Sequence, residues 1–523
     1  MKGYFLAASA AVLVTAASVT ALAAPPQPQL HVAPNGVKQL RFSWEPVAGA
    51  TSYELWFQSN PTAVESRFFQ MPSSQTSVVN NVAVHLLDWN NSRYWLRACD
   101  SSGCTASGKI SVVNQMAGTI GLLANPAVSG PSQYGSNVAL SDDGNTLAVV
   151  APFESTSDPA HPEGSIYIYR RSGNTWPLQQ SIPLDVAGFN GSNPSTARVR
   201  LSLNAVGNVL AVGLPGDHHG LFEGQNNGTV KIFRQIIDTG WRQEAIIAPE
   251  TGPEFGAADW VELDDAGDTL AVKTPLGSPG NPSPSVFLYT YDRAGSWSHT
   301  ATSPGIDTTA SGERSCNAPA FSGDGQVLAY ACGVFEGETV FEIHAAPDWG
   351  VRDSLPVAPG EAIYAKALST NGDALAVTRW SNTSNIRTEI WRRVNGNYAL
   401  EATVRAGTWQ PAPASAEPGH FGAEARFSTD GKLLAISDPT DQGAGVGSLA
   451  PPLAAGTKPT GAVYVYDRRA SGWTLRRVVK PGRSGAAFET GGFGSSISLG
   501  DSGRTLAVGH PKANNNFGVV WLY

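Results

Sequence analysis

Val138-Ala139-Leu140-Ser141-Asp142-Asp143-Gly144-Asn145-Thr146-Leu147-Ala148-Val149-Val150 reads as two apolar runs joined by a polar tight turn. Asp-Gly between such runs is a strong hairpin signal, because the turn needs positive backbone angles that glycine adopts freely. The unit returns around Gly207, Gly267, Gly325, Gly372, Gly431 and Gly503, giving seven copies at intervals of 47 to 72 residues. A third apolar run follows the hairpin, as in Ile166-Tyr167-Ile168-Tyr169, Val230-Lys231-Ile232-Phe233 and Val463-Tyr464-Val465-Tyr466. A fourth opens on an aromatic residue: Trp176, Trp241, Trp297, Trp349, Tyr398 or Trp473. Four strands repeated seven times predict an all-β, seven-bladed β-propeller over residues 118–523. The last copy stops at Val519-Val520-Trp521-Leu522-Tyr523, its third strand. A missing fourth strand leaves an open edge, and the apolar run at 119–124 is expected to fill it and close the ring.

Composition agrees. Glycine (56) and proline (36) are abundant in 523 residues, and charged residues make only 15%. Turn-formers with few charges fit short strands, not solvated helices, and 41% hydrophobic residues suffice for a packed core. A net charge of -8 argues against a nucleic-acid partner held through its phosphates.

The N-terminus carries Lys2, a small-apolar run from Phe5 to Ala24 and Ala21-Leu22-Ala23-Ala24-Pro25-Pro26. This pattern describes a signal peptide over 1–24, so the mature chain is expected to be secreted, periplasmic or at the cell surface. No later stretch reaches the roughly 20 apolar residues of a transmembrane span. Export permits disulfides. Cys99 and Cys104 bracket the turn Asp100-Ser101-Ser102-Gly103, and Cys316 and Cys332 flank Gly323-Asp324-Gly325. Four cysteines allow three connectivities, and both local pairings would sit across hairpins.

Residues 28–113 show alternation in Leu40-Arg41-Phe42-Ser43-Trp44 and Ser52-Tyr53-Glu54-Leu55-Trp56-Phe57, then Tyr94-Trp95-Leu96-Arg97-Ala98-Cys99. Short strands at this spacing predict a small β-sandwich preceding the propeller. Phe42-Ser43-Trp44-Glu45-Pro46 and the cysteine hairpin resemble a fibronectin type III domain. Such domains act as spacers or binding modules. In the repeats, Tyr134-Gly135, Phe255-Gly256, Phe421-Gly422 and Phe493-Gly494 precede the first strand, and Ala151-Pro152, Leu214-Pro215, Thr274-Pro275, Asp438-Pro439 and His510-Pro511 follow the second. These marks resemble the FG-GAP repeat of integrin-α-like propellers, particularly the bacterial kind. Many members of that family bind calcium between strands one and two. Ser141-Asp142-Asp143-Gly144, Asp264-Asp265-Ala266-Gly267 and Ser428-Thr429-Asp430-Gly431 lack the acidic series that calcium needs, so no cofactor is expected.

Blade topology puts the short one-to-two turns on one face and the long two-to-three loops on the other, where function usually resides. The long-loop face is expected to present His161, Asp217, His218, His219, Asp438, Asp441 and His510. The His-His pair beside an aspartate is a donor set that a transition metal takes, although polar residues suit any exposed loop. No catalytic constellation can be assembled from spacing alone, so no enzymatic activity is expected. The resemblance implies an adhesion-type protein that binds a protein or glycan ligand. The alternative is an exported carbohydrate-active hydrolase or lyase, which requires carboxylates or histidines converging on the central channel. A structural component of an envelope assembly is the third option.

Overall fold

The computed structural model describes residues 23–127, 130–154, 164–184, 199–215, 217, 228–248, 258–273, 286–303, 314–334, 339–381, 386–406, 420–451, 453–454, 456 and 458–523. Most of the signal peptide expected over 1–24 therefore lies outside the described residues. Among the described residues from Val138 onward the chain lays down seven antiparallel sheets in succession, consistent with the architecture of a β-propeller. Sheet one is Val138–Leu140, Thr146–Ala151, Ser165–Arg170 and Leu178–Pro183, each strand paired to the next. Sheet seven is Ser496–Gly500, Thr505–His510 and Val519–Leu522, with Gly121–Ala124 as its fourth strand.

The hairpin turns explain themselves chemically. Ser141 Oγ accepts from the Thr146 amide at 3.0 Å, and the Asp143 carboxylate accepts from Ser141 Oγ at 2.5 Å and from the Asn145 amide at 2.9 Å. Ser428 and Asp430 repeat the device, as do Ser322 and Asp324. The turns also hold one another. The Asp143 amide donates to Ala205 O, Ala205 to Asp265 O, Asp265 to Gly323 O, Asp324 to Thr370 O and Asp501 to Asp142 O. The last bond joins the seventh sheet to the first.

The aromatic-glycine marks have a packing cause. Gly135, Gly422 and Gly494 all adopt φ near +85 to +90°: 84, 84 and 89°. Each lies against the preceding sheet, where a Cβ would come within 2.8 Å of Val519 O, 2.3 Å of Thr378 Oγ1 and 3.1 Å of Ser437 Cβ respectively. A side chain is excluded there by both angle and space.

Residues 31–111 form two sheets, His31–Pro34, Gln39–Ser43 and Ser77–Asn81 in one, and Ser66–Pro72, Ser52–Gln58, Arg93–Asp100 and Gly103–Ala106 in the other, with Ile110–Ser111 also paired to Arg93–Asp100. Leu40, Phe42, Tyr53, Leu55 and Leu96 are buried between them and belong to the same apolar cluster as Val463, Phe493 and Trp521 of sheets six and seven. His85 is fully buried at this junction, its Nε2 2.9 Å from Gly503 O. The N-terminal unit is thus built into the propeller wall and is no free spacer. Cys99–Cys104 and Cys316–Cys332 are both disulfide-bonded across hairpins. The second closes a 16-residue separation, so its reduction is expected to cost about 3 kcal/mol, measurable as a lower midpoint of thermal unfolding in dithiothreitol.

Candidate functional site

Four of the seven residues expected on the long-loop face are described, and they point inward. Asp217 is fully buried and accepts from Thr229 Oγ1 at 2.6 Å. Asp441 is 5% exposed, accepts from Tyr464 OH at 2.5 Å and is ion-paired to the buried Lys480 at 2.5 Å. Glu154 does the same in sheet one, accepting from Tyr167 OH at 2.6 and 2.7 Å. These three carboxylates stand two residues after a proline, and the main-chain oxygen of each accepts from the glycine amide that opens the third strand. They staple the two-to-three connection from within, which is why the residue type recurs. Asp438 accepts from Thr440 N and Oγ1 at 3.0 and 2.8 Å, and burial raises its carboxyl above the usual range. His510 packs edge-on against Phe493 with Nε2 3.0 Å from Gly491 O, and burial pushes it down to about 4. Asp217, Asp438, Asp441 and His510 are thus buried and bonded within the fold. His161, His218 and His219 lie outside the described residues. Trp176, Trp241 and Trp349, which open fourth strands, are buried between sheets.

Chemistry gathers in the channel instead. The inner strands enclose a cavity of about 240 Å³ lined by, among others, Arg200, Glu262, Lys366, Glu424 and Arg426. Each comes from a definite place on the repeat. Glu262 and Arg426 stand two residues before the turn-opening Asp264 and Ser428, where Ser202 and Ser498 stand in sheets two and seven and alanine stands in the others. Arg200 opens its inner strand and Glu424 immediately precedes its own, so both sit at the long-loop end. Lys366 enters through a β-bulge between Ala365 and Ala367, a device that re-aims a side chain.

Glu424 is bracketed by cations, with Arg200 Nη1 at 3.2 Å from Oε1 and Arg426 Nη1 at 3.4 Å from Oε2. Burial alone would raise its carboxyl, but Arg200, Arg426 and Lys366 outweigh that and hold it below the usual range. Glu262 has the opposite balance. Burial pushes it up to about 7, more than the Arg426 charge and the Phe321 backbone can bring it down. Burial likewise lowers Lys366, whose Nζ donates to Ala423 O at 3.0 Å. At the short-turn end, burial and then Asp265 push Asp142 up to about 7. The cavity thus holds Glu424 with its carboxyl below the usual range beside Glu262 and Asp142 with theirs above it, a division that separates base from acid.

None of these five residues was singled out from the sequence. The available signal was a lone charge inside an innermost strand, as in Val261-Glu262-Leu263 and Ala425-Arg426-Phe427. Lys366 gave no such signal, because the bulge breaks the period of two.

Among the described residues no helix is long and apolar enough to cross a membrane. No protein-family model and no curated protein matches the chain. Solved structures do. A candidate 6-phosphogluconolactonase from Bacteroides uniformis aligns at 10% identity over 82% of this chain and 97% of its own, with a TM-score of 0.41. The periplasmic gluconolactonase of Pseudomonas aeruginosa aligns at 14% over 82% and 96%, TM-score 0.39. TolB of Acinetobacter baumannii aligns at 11% over 71% and 77%, TM-score 0.35. None of the three is named as integrin-like, and two bear gluconolactonase names. The FG-GAP resemblance and the expectation of a protein without enzymatic activity are both corrected accordingly. The aromatic-glycine and proline marks follow from how successive sheets pack, and they carry no ancestry by themselves.

Proposed function

We propose that the chain is an exported hydrolase of carbohydrate esters or lactones, with the central channel as its active site. The seven sheets are read as seven blades and the N-terminal pair of sheets as a fibronectin-like module braced against the last two. Two disulfides support export. The observation that carries the reading is the pair Glu262 and Glu424, one carboxyl pushed above and one held below the usual range, lining one cavity with Arg200, Lys366 and Arg426.

Each group then has a role. Glu424, ionised, accepts a proton from water as it attacks the acyl carbon. Glu262, protonated, donates its proton to the leaving alkoxide. The surrounding cations favour acyl transfer over glycoside cleavage, because a glycosidic transition state is oxocarbenium-like and positive. Asn137, Ser202 and Ser498 also line the cavity and suit the hydroxyls of a sugar.

The test is hydrolysis of a panel of sugar lactones and acetyl sugars, against nitrophenyl glycosides as controls, across pH. Glu262 must be protonated to act, so kcat is expected to fall as pH rises through about 7. Glu424 must be ionised, and its carboxyl lies below the usual range, so the acid limb is expected below that range. Glycoside turnover without ester turnover would refute the reading.

A further inference from the structure

We propose that the long-loop end of the channel is an oxyanion subsite in which Lys366, Arg426 and Arg200 seat a carboxylate or phosphate carried by the substrate. The inference rests on the channel being the active site and adds the class of molecule admitted.

Charge is the first argument. Three cations meet at this end of the cavity, and Glu424 is the carboxylate ion-paired to two of them. Glu262 shares the register of Arg426, and Asp142 and Asp265 belong to the turns at the opposite end. The cationic excess sits inside a chain whose net charge is -8, so the general surface does not explain it.

Unused donors are the second argument. Arg200 Nε is buried and has no hydrogen-bond partner among the described residues. Lys366 Nζ gives one hydrogen bond, to Ala423 O, and lies 5.2 Å over the Tyr364 ring. An ammonium has three N–H donors, which leaves two for a ligand. A buried donor without a partner is costly, and an oxyanion satisfies several at once through charge-assisted bonds.

The bulge is the third. It turns Lys366 out of the alternation of its strand while Ala365 and Ala367 on either side stay buried between sheets. A cavity of about 240 Å³ falls below the 300 to 1,000 Å³ of drug-sized pockets, which points to a small sugar acid or sugar phosphate, not a polymer chain.

Calorimetric titration of the full chain with gluconate, glucose 6-phosphate and glucose tests this. The two anions distinguish carboxylate from phosphate, and glucose reports sugar contacts alone. At least one anion is expected to bind about tenfold or more tighter than glucose. Lys366→Met and, independently, Arg426→Met are each expected to erase about a factor of ten for the anion and to leave glucose unchanged. Equal affinity for glucose and both anions, absence of anion binding up to millimolar concentrations, or unchanged anion affinity in both variants would overturn the subsite. Glu424→Gln separates the two proposals: it is expected to bind the anion at least as tightly while losing turnover. Anion binding without hydrolysis of any panel member would sink the hydrolase and keep the subsite. Hydrolysis of neutral esters with no anion preference would do the reverse.

Discussion

Glu424→Gln is expected to lower kcat on the responsive ester or lactone by about 10² to 10⁴-fold while the protein stays folded. Glutamine keeps the shape of the side chain and its oxygen can still accept from Arg200, but it cannot take a proton from water. Little stability should be lost, because Arg200 is 36% exposed at its side chain and such pairs contribute about 0 to 1 kcal/mol. Parallel thermal melts and rate measurements separate the two effects. A variant that melts normally and turns over normally would remove Glu424 from the chemistry. Glu262→Gln provides the companion result: an amide has no carboxyl proton to donate, so the alkaline limb near pH 7 should vanish together with most of the rate.

Asp441→Ala should act in the opposite way, on the fold. Its carboxylate holds Lys480, which is fully buried and also donates to Thr460 Oγ1 and Gly461 O at 2.8 and 2.9 Å. Removing the acid strands an ammonium inside sheet six, and breaking one partner of a buried pair costs about 3 to 5 kcal/mol. Tyr464 OH loses its acceptor at the same time. Denaturant melts should show the loss directly, and Asp441→Ala with Lys480→Met should recover much of it by removing the orphaned charge. If Asp441→Ala were as stable as the parent chain and only a ligand were lost, the long-loop face would again be the better candidate.

How much was legible beforehand differs between frame and site. The hairpin turns were legible because their chemistry is local. Serine, aspartate and glycine at fixed offsets close the turn by themselves, as Ser428, Asp430 and Gly431 do. The cysteine pairings were legible for the same reason, since each spans one hairpin. Polar residues near the prolines misled, because position in a long loop says nothing about where a side chain points. Asp217 and Asp441 turn inward to fasten the loop to the third strand. The channel was illegible because it is assembled from residues of different sheets. Arg200 and Glu424 are 224 positions apart and meet only when the ring is closed. Lys366 needs, in addition, a bulge that no alternation foretells.

The most direct measurement follows the carboxyl carbons of Glu262 and Glu424 by NMR in the selectively labelled protein, each assigned by its glutamine variant, as pH is raised. The account predicts that Glu262 titrates near 7 and Glu424 below the ordinary carboxylate range. Two ordinary glutamates titrating together near pH 4.5 would contradict it, since the channel would then hold no acid beside its base.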